Sequence, residues 1–531
     1  MPFLPSLIPY RSTKSFSSIA MDYVDGNEAL KPFYNQQPEL DGIKKTIEER
    51  KQFPTNRKLL VDYLHEQYKA VTVTEKLQQN INSLLHENTF TVTTAHQPNI
   101  FTGHLYFIYK ILHAIKLAEQ LTHQLPGNNF VPVYYMGSED ADLEELGEVF
   151  INGKHYTWPT KQTGAVGRMK IDKAFIALVS EIESQLLVEA HGKEIMDAVH
   201  RIYTLDKTIE QATFEFVHLL FANYGLVILL PDAADLKRSF LPIIKKELNE
   251  QFSNTAVEET MKDFPAQYKV QAAGREINLF WLEEQSRERV EKEGGKFKVE
   301  AVKQEEAAFL QLVEESPEKI SPNVILRPVF QEWILPNIVF IGGGGELAYW
   351  LELKKVFAAA AVPYPVLILR NSFLVINKKT ADKIAALNMQ PTDFFQPAAT
   401  LLQRIVQQHT GNQLSLSEEK NQLLELYKKI QSVAGEADAT LQPHVQALYI
   451  GAEKRISQLE KKMYSAEKKK FEAQQRQIEK IKNTLFPNGT LQERIDNLLP
   501  WYAKYGKDFI DILYKHSLTL EQEFCLLEES I

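Results

Sequence analysis

The residues best suited to chemistry fall into three short clusters. In the first, His96, Gln97, Gly103 and His104 occupy a loop between the β-rich run TFTVTTA and an apolar helical stretch. The start of a helix presents unpaired N–H groups and the positive end of its dipole, so such a turn is a ready anion site. Two imidazoles beside it suit phosphate chemistry, each able to offer a ring N–H to a transferring phosphoryl or adenylyl group, and Gly103 lets backbone approach closely. A capping or packing role explains the same imidazoles equally well. In the second cluster Glu139, Asp140 and Asp142 follow the strand-like FVPVYYM. Carboxylates there can hold Mg²⁺, bind a substrate ammonium or act as a base, although Asp142 and Glu144 also fit the acidic first turn of a helix through LEEL. The third is Gly342, Gly343, Gly344, Gly345 and Glu346. It lacks the third glycine of a dinucleotide fingerprint and the GK[ST] of a P-loop, yet bare glycines ahead of a helix let a ligand lie against backbone.

Two outlying groups add polar side chains. Arg327, Gln331 and Glu332 interrupt an apolar stretch and fit either a carboxylate or phosphate ligand or a bridge between domains. Arg275, Asn278 and Arg287 flank Phe280 and Trp281, a pairing that suits an anionic ligand and equally a packed lobe. Cys525 is the single cysteine, which excludes an internal disulfide and a zinc-thiolate site. Its apolar surroundings near the end of a helical tail read as packing.

The elements that must position these residues follow an α/β rhythm. Residues 1–85 read as a helical cover. Residues 86–234 give strand, helix and strand, then YGLVILLPD as a further buried strand. Such βαβ units specify a parallel sheet with ligands beyond the carboxyl ends of its strands. Residues 235–321 are polar and irregular, an inserted lobe, and the α/β pattern resumes over 322–400. Over 401–490 an apolar stripe at three-and-four spacing (Leu423, Leu426, Ile430, Val433; then Val445, Leu448, Ile456, Leu459) predicts a coiled coil. Ser415 and Glu418 fit a capping box at its start, and after Met463 the seam steps out of register as a stutter without a break. Residues 491–531 read as a helical tail.

A chain of 531 residues is too long for one core. With 44% hydrophobic and 24% charged residues it has an ordinary globular composition. A net charge of −9 argues against a general nucleic-acid binder and for a small substrate. No apolar run nears the ~20 residues of a membrane span, and the proline-punctuated start makes a poor signal peptide. A cytoplasmic protein without membrane partners is expected.

The blocks TAHQPNIFTGHLYFIYKILHAIKLA, VPVYYMGSEDADLEEL, REINLF, LRPVFQEWILPNIVFIGGGGELAYWLELKKVF and LQERIDNLLPWYAKYGKDFI resemble, in order and along nearly the whole chain, the cysteine-adding enzyme family of bacillithiol biosynthesis. The resemblance implies a Rossmann-like core related to class I aminoacyl-tRNA synthetases, connecting lobes and a coiled coil that makes a homodimer. Ala95 to Gly103 matches the family's TGQQ…LTG loop with His96 where Gln is common, and His104 stands where proline is expected. Glu139, Asp140 and Asp142 match an EDxD block in which Ala141 replaces His. The GGPxE element has Gly344 in place of proline and keeps Glu346. The implied reaction joins cysteine to the amine of glucosaminyl-malate, its carboxylate activated by ATP as an adenylate or acyl phosphate. In that scheme the His96 loop binds phosphates, Glu139 and Asp140 a Mg²⁺ ion or an ammonium, and the glycine loop the activated ligand. A ligase for another amine, or an inert dimeric scaffold, would share these sequence features.

Overall fold

The computed structural model describes residues 3–272, 274–299, 302–409 and 414–530. It divides into two compact units: the chain up to Val375 together with Thr490–Ser530, and Ile376–Gly489.

The first unit is built on a five-stranded sheet whose elements in chain order are β1 (Thr89–His96), α1 (Leu105–Gln124), β2 (Asn129–Met136), β3 (Val227–Leu229), β4 (Asn337–Gly342), α2 (Gly344–Leu351) and β5 (Val366–Leu369). The strands lie in the order β5-β4-β1-β2-β3 and all neighbours are parallel. Every residue of β1 is buried, as a strand with helices on both faces requires, and its alternating threonines and apolar residues suit the pleat. The buried hydroxyls are satisfied: Thr91 and Thr93 donate to Asn337 Oδ1 at 3.1 and 2.8 Å, and Thr94 to the Ile341 carbonyl at 2.9 Å. The chain builds outward from β1 to β2 and β3, then returns to the other side of β1 for β4 and β5. That reversal opens a crevice beyond the carboxyl ends of β1 and β4, the place where a sheet of this kind binds ligands.

Around this core the sequence expectation needs correction at both ends of the chain. The cover before residue 85 is mostly helical but begins with a strand, Phe3–Pro9, paired antiparallel with a closing strand Glu523–Glu529. Cys525 therefore lies buried on a strand and not on a helix. Prolines are tolerated in Phe3–Pro9 because it is the edge of its three-stranded sheet, with Phe373–Ile376 on the far side of Glu523–Glu529. The inserted lobe is also more regular than its composition suggests. It opens with the helices Ala234–Ser239, Leu241–Glu250 and Phe252–Asp263 and continues into small antiparallel sheets that include Leu279–Leu282, Arg287–Arg289 and Ile320–Pro322. Short amphipathic elements rich in Lys and Glu hide their period from a composition reading.

The second unit begins at residue 376, earlier than the expected 401, because Lys378–Ala386 and Ala398–His409 pack against Glu472–Leu485. Its long helices, Ser417–Ala437 and Leu441–Lys468, form an antiparallel hairpin, with Lys420 paired to Glu460 and Tyr427 set 5.8 Å from Tyr449. The predicted capping box is not used: Leu416 caps the helix, and its N–H goes to Glu460 across the hairpin. Nor does the seam run through as a stutter. A single 3₁₀ turn, Lys469–Phe471, interrupts it before Glu472–Leu485. Among the described residues no helix is long and apolar enough to cross a membrane.

Candidate functional site

A cavity of about 590 Å³ opens beyond the carboxyl ends of β1, β2, β4 and β5. His96 and Gln97 reach it from β1, Glu139 and Asp140 from the turn after β2, Gly343 to Glu346 from the turn after β4, Arg370 from the end of β5, and Arg275, Arg287 and Arg327 from the inserted lobe and its return. The topology thus assembles most of the residues that the sequence singled out, at the position expected for an open α/β sheet.

The helix start that looked like the anion site is already occupied by the chain itself. The N–H of Leu105, first in α1, donates to the Asp496 carbonyl at 2.8 Å, and Asn497 Nδ2 donates to the carbonyls of Phe101 and Gly103 at 2.9 and 2.6 Å. His104 caps the helix with its backbone, and its Nδ1 lies 3.3 Å from the Ile495 carbonyl. Neither Gly103 nor His104 lines the cavity. Gly103 is needed for the bend itself: its φ is +60°, and an added Cβ would sit 2.8 Å from Asn99 Cβ. Phe101 and Thr102 also have positive φ, so the loop is held in costly backbone by these outside contacts. His96 is different. It is buried between Tyr106 and Phe107, its Nε2 has no hydrogen-bond partner among the described residues, and burial, with the charges of Lys110, His104 and Arg370, holds it well below the usual histidine range. A neutral imidazole there can accept or donate one hydrogen bond at the cavity wall, but it brings no charge to a phosphate.

The glycine loop contributes bare backbone to the cavity lining through Gly343, Gly344 and Gly345. Glu346, third in the first turn of α2, folds back to accept the Gly343 N–H at 2.8 Å. The same carboxylate oxygen pairs with Lys110, which donates its other bond to the Ala95 carbonyl at 3.1 Å. Lys110 thereby ties β1 to the glycine loop across the switch point. Gly345 faces open space, Gly344 abuts Ala20, and Gly342 is held by Phe340 outside the cavity lining. Beside them Arg370 is fixed by Glu493 at 2.7 Å, by Ser372 Oγ and by the Asn371 carbonyl, and lies over the Tyr106 ring at 5.0 Å.

On the β2 side Glu139 is paired with Lys237, which also holds Asp232 at 2.7 Å, and Arg168 grips Asp232 in a fork at 2.7 and 2.8 Å. Burial raises the Glu139 carboxyl, and Lys237 opposes it. For Asp232 burial acts in the same direction but Lys237 and Arg168 outweigh it, holding the group at about 2. Asp140 is half-buried and accepts from Gln97 Nε2 at 3.2 Å. Asp142 turns away to cap the short helix Leu143–Leu146. Among the described residues no trio of His, Cys, Asp or Glu is arranged to hold a metal. Of the two carboxylates of this cluster that line the cavity, Glu139 is committed to Lys237 and Asp140 only to neutral donors.

From the lobe, Arg287 stacks on Phe280 at 3.8 Å, its buried Nε without a hydrogen-bond partner among the described residues, and Arg275 and Arg289 are exposed at the cavity rim. Arg327 donates to Tyr349 OH at 2.8 Å and to Gln331 at 3.3 Å. Gln331 is fully buried and links Arg327 to Glu332, which is paired with Arg50 beneath the sheet. Asn278 is likewise a structural hub, bonded to Ser253, Arg275 and Asn323. Seven basic side chains line the cavity against three acidic ones, in a chain of net charge −9. Such an enclosure selects anions.

Several of these residues escaped the sequence reading. Lys110 carried a usable signal, a lysine inside the apolar run YFIYKILHAI, which has to find a partner. Arg370 stands directly after a buried strand, where side chains reach a ligand crevice, and Asp232 lies three residues past another. Lys237 and Arg494 offered no such cue.

Comparison with known proteins supports one assignment. Residues 6–371 match the family model of the bacillithiol biosynthesis BshC N-terminal Rossmann-like domain, and residues 373–529 that of its C-terminal coiled-coil domain. Among similar proteins, one from Flavobacterium johnsoniae is 37% identical over 98% of this chain and 99% of its own length, and one from Flavobacterium psychrophilum 38% identical over the same shares. One from Christiangramia forsetii is 36% identical over 98% of both chains. All three bear the name "Putative cysteine ligase BshC". With its Rossmann-like sheet and helical hairpin both matched along nearly the full length, this chain belongs to the bacillithiol biosynthesis BshC family.

Proposed function

We propose that this protein is a ligase that joins the carboxylate of cysteine to the amino group of glucosaminyl-malate, with ATP activating the carboxylate. The observation that carries this reading is the cation-lined cavity at the sheet's switch point. A triphosphate and a malyl group are both polyanions, and the arginines and glycine loop there match such ligands in charge and in exposed backbone. An acid and an amine do not condense unaided in water, so an activated acyl group held away from solvent is required. His96 would give a neutral hydrogen bond to the bound ligands, the Gly343–Gly345 backbone would lie along an anionic group, and Asp140 would face an ammonium or the Mg²⁺ that accompanies a triphosphate. The exposed apolar residues of the helical hairpin, among them Leu426, Val433 and Leu448, fit a second copy of the chain as partner.

The direct test incubates the purified protein with ATP, cysteine and glucosaminyl-malate. Mass spectrometry should find the amide, and the nucleotide released reports the activation: AMP for an adenylate, ADP for an acyl phosphate. Turnover with a different amine only would redirect the assignment to that acceptor. Absence of ATP binding together with absence of product would leave the scaffold reading.

A further inference from the structure

The short segment Gln492–Asn497 is bound to the site out of proportion to its length. Gln492 exchanges two side-chain bonds with the backbone of Val375, at 3.0 and 3.2 Å. Glu493, fully buried, holds Arg370. The carbonyls of Ile495 and Asp496 meet His104 Nδ1 and the first N–H of α1, and Asn497 takes two carbonyls of the loop before it. Almost every polar group of this strap is thus spent on fixing its own backbone against the glycine-loop side of the cavity. Arg494 differs from the rest of the strap, because its side chain is exposed and lines the cavity. It has no hydrogen-bond or ion-pair partner among the described residues.

The other cavity cations of the Rossmann-like core are committed: Lys110 to Glu346 and the Ala95 carbonyl, Arg370 to Glu493, Arg327 to Tyr349 and Gln331. Arg494 also stands close enough to Arg370 for the two charges to oppose each other, and the carboxylate next to it in sequence, Glu493, gives its Oε1 to Arg370 and Ser372. Two guanidinium groups beside a single carboxylate, which is paired with Arg370, leave surplus positive charge facing the cavity. A bound oxyanion relieves that surplus and takes the planar fork of an arginine whose backbone is already immobilised.

We propose that Arg494 is a ligand-binding residue of this cavity, taking an oxyanion of the ligand, phosphoryl or carboxylate, on a fork held in place by the Gln492–Asn497 strap. The proposal rests on the reading of the cavity as a site for polyanionic substrates. It is tested by calorimetric titration of the full-length protein and its Arg494→Ala and Arg494→Lys variants with ATP, pyrophosphate and L-malate. Arg494→Ala should weaken one class of ligand by about tenfold or more, with the melting temperature unchanged because the side chain is exposed. Arg494→Lys, which keeps the charge but not the fork, should fall between. Loss for ATP and pyrophosphate assigns a phosphoryl group, and loss for malate assigns a carboxylate. Unchanged Kd values for all three ligands in a natively melting Arg494→Ala protein overturn the proposal and leave the function standing. Failure of the unaltered protein to bind any of the three overturns both. If Arg494→Ala does not fold, Arg494→Gln carries the same comparison.

Discussion

Lys237 is 1% exposed and holds two carboxylates, Glu139 and Asp232, which are themselves 10% and 5% exposed. Buried charges of this kind are stabilising only as a set, because removing one partner strands the rest without solvent. Lys237→Met is therefore expected to destabilise the fold by about 3 kcal/mol or more, measured by denaturant unfolding. The same variant should weaken ligand binding, since Glu139 would take up a proton and lose its orientation at the cavity wall. The residue scale is also where the sequence misleads most. His96 and His104 look alike as isolated imidazoles beside a helix start, yet one is a neutral cavity-wall group and the other a backbone cap turned toward Ile495. What separates them is a segment nearly four hundred residues further along the chain, which no local pattern contains.

At the scale of elements, two glycines that read alike in the sequence do different work. Gly103 has φ +60° and a Cβ there would press on Asn99, so Gly103→Ala should lower stability by about 1–3 kcal/mol. Gly345 sits in the first turn of α2 with open space around it and an ordinary backbone conformation. Gly345→Ala should hold or slightly raise the melting temperature, as alanine is the better helix former, while its methyl intrudes on the cavity and weakens ATP binding. Thermal melts and titrations on the two variants separate a structural glycine from a ligand-facing one. An unchanged Kd in Gly345→Ala would remove the glycine loop from the site. The strand-helix-strand units were legible from hydrophobic period and from the turn residues between them, because local backbone preference and burial agree there. The strand Glu523–Glu529 was not, since its pairing partner, Phe3–Pro9, is at the other end of the chain.

For the whole molecule, pH and association are the accessible probes. Burial pushes Asp496 up to about 7, against the pull of the Trp501 indole, and Glu210 is held near about 7 by burial and by the charge of Asp232. An unfolded chain releases these protons at about pH 4. Between about pH 4 and 7 the folded protein thus retains protons that the unfolded chain has lost, so stability falls as pH rises through that window and levels off above it. Asp496→Asn removes one such group, and its melting temperature should gain on the unaltered protein more at pH 8 than at pH 4. In the second unit, Val433 and Leu448 are 67% and 52% exposed on the hairpin stripe. If that stripe is the homodimer seam, replacing both with Glu should give a monomer in sedimentation velocity with the Rossmann-like unit still folded. A dimer that survives the change places the interface elsewhere. The sequence by itself determined the parallel α/β core, the C-terminal coiled-coil helices and the family, because each rests on local periodicity or on contiguous motifs. Tertiary structure alone decided that the first N–H of α1 is capped by the chain, that Glu139 answers to Lys237, and that Arg370 and Arg494 complete the cation set. Those facts depend on pairings between distant segments, where the geometry of the sheet and not the order of residues sets which charges meet.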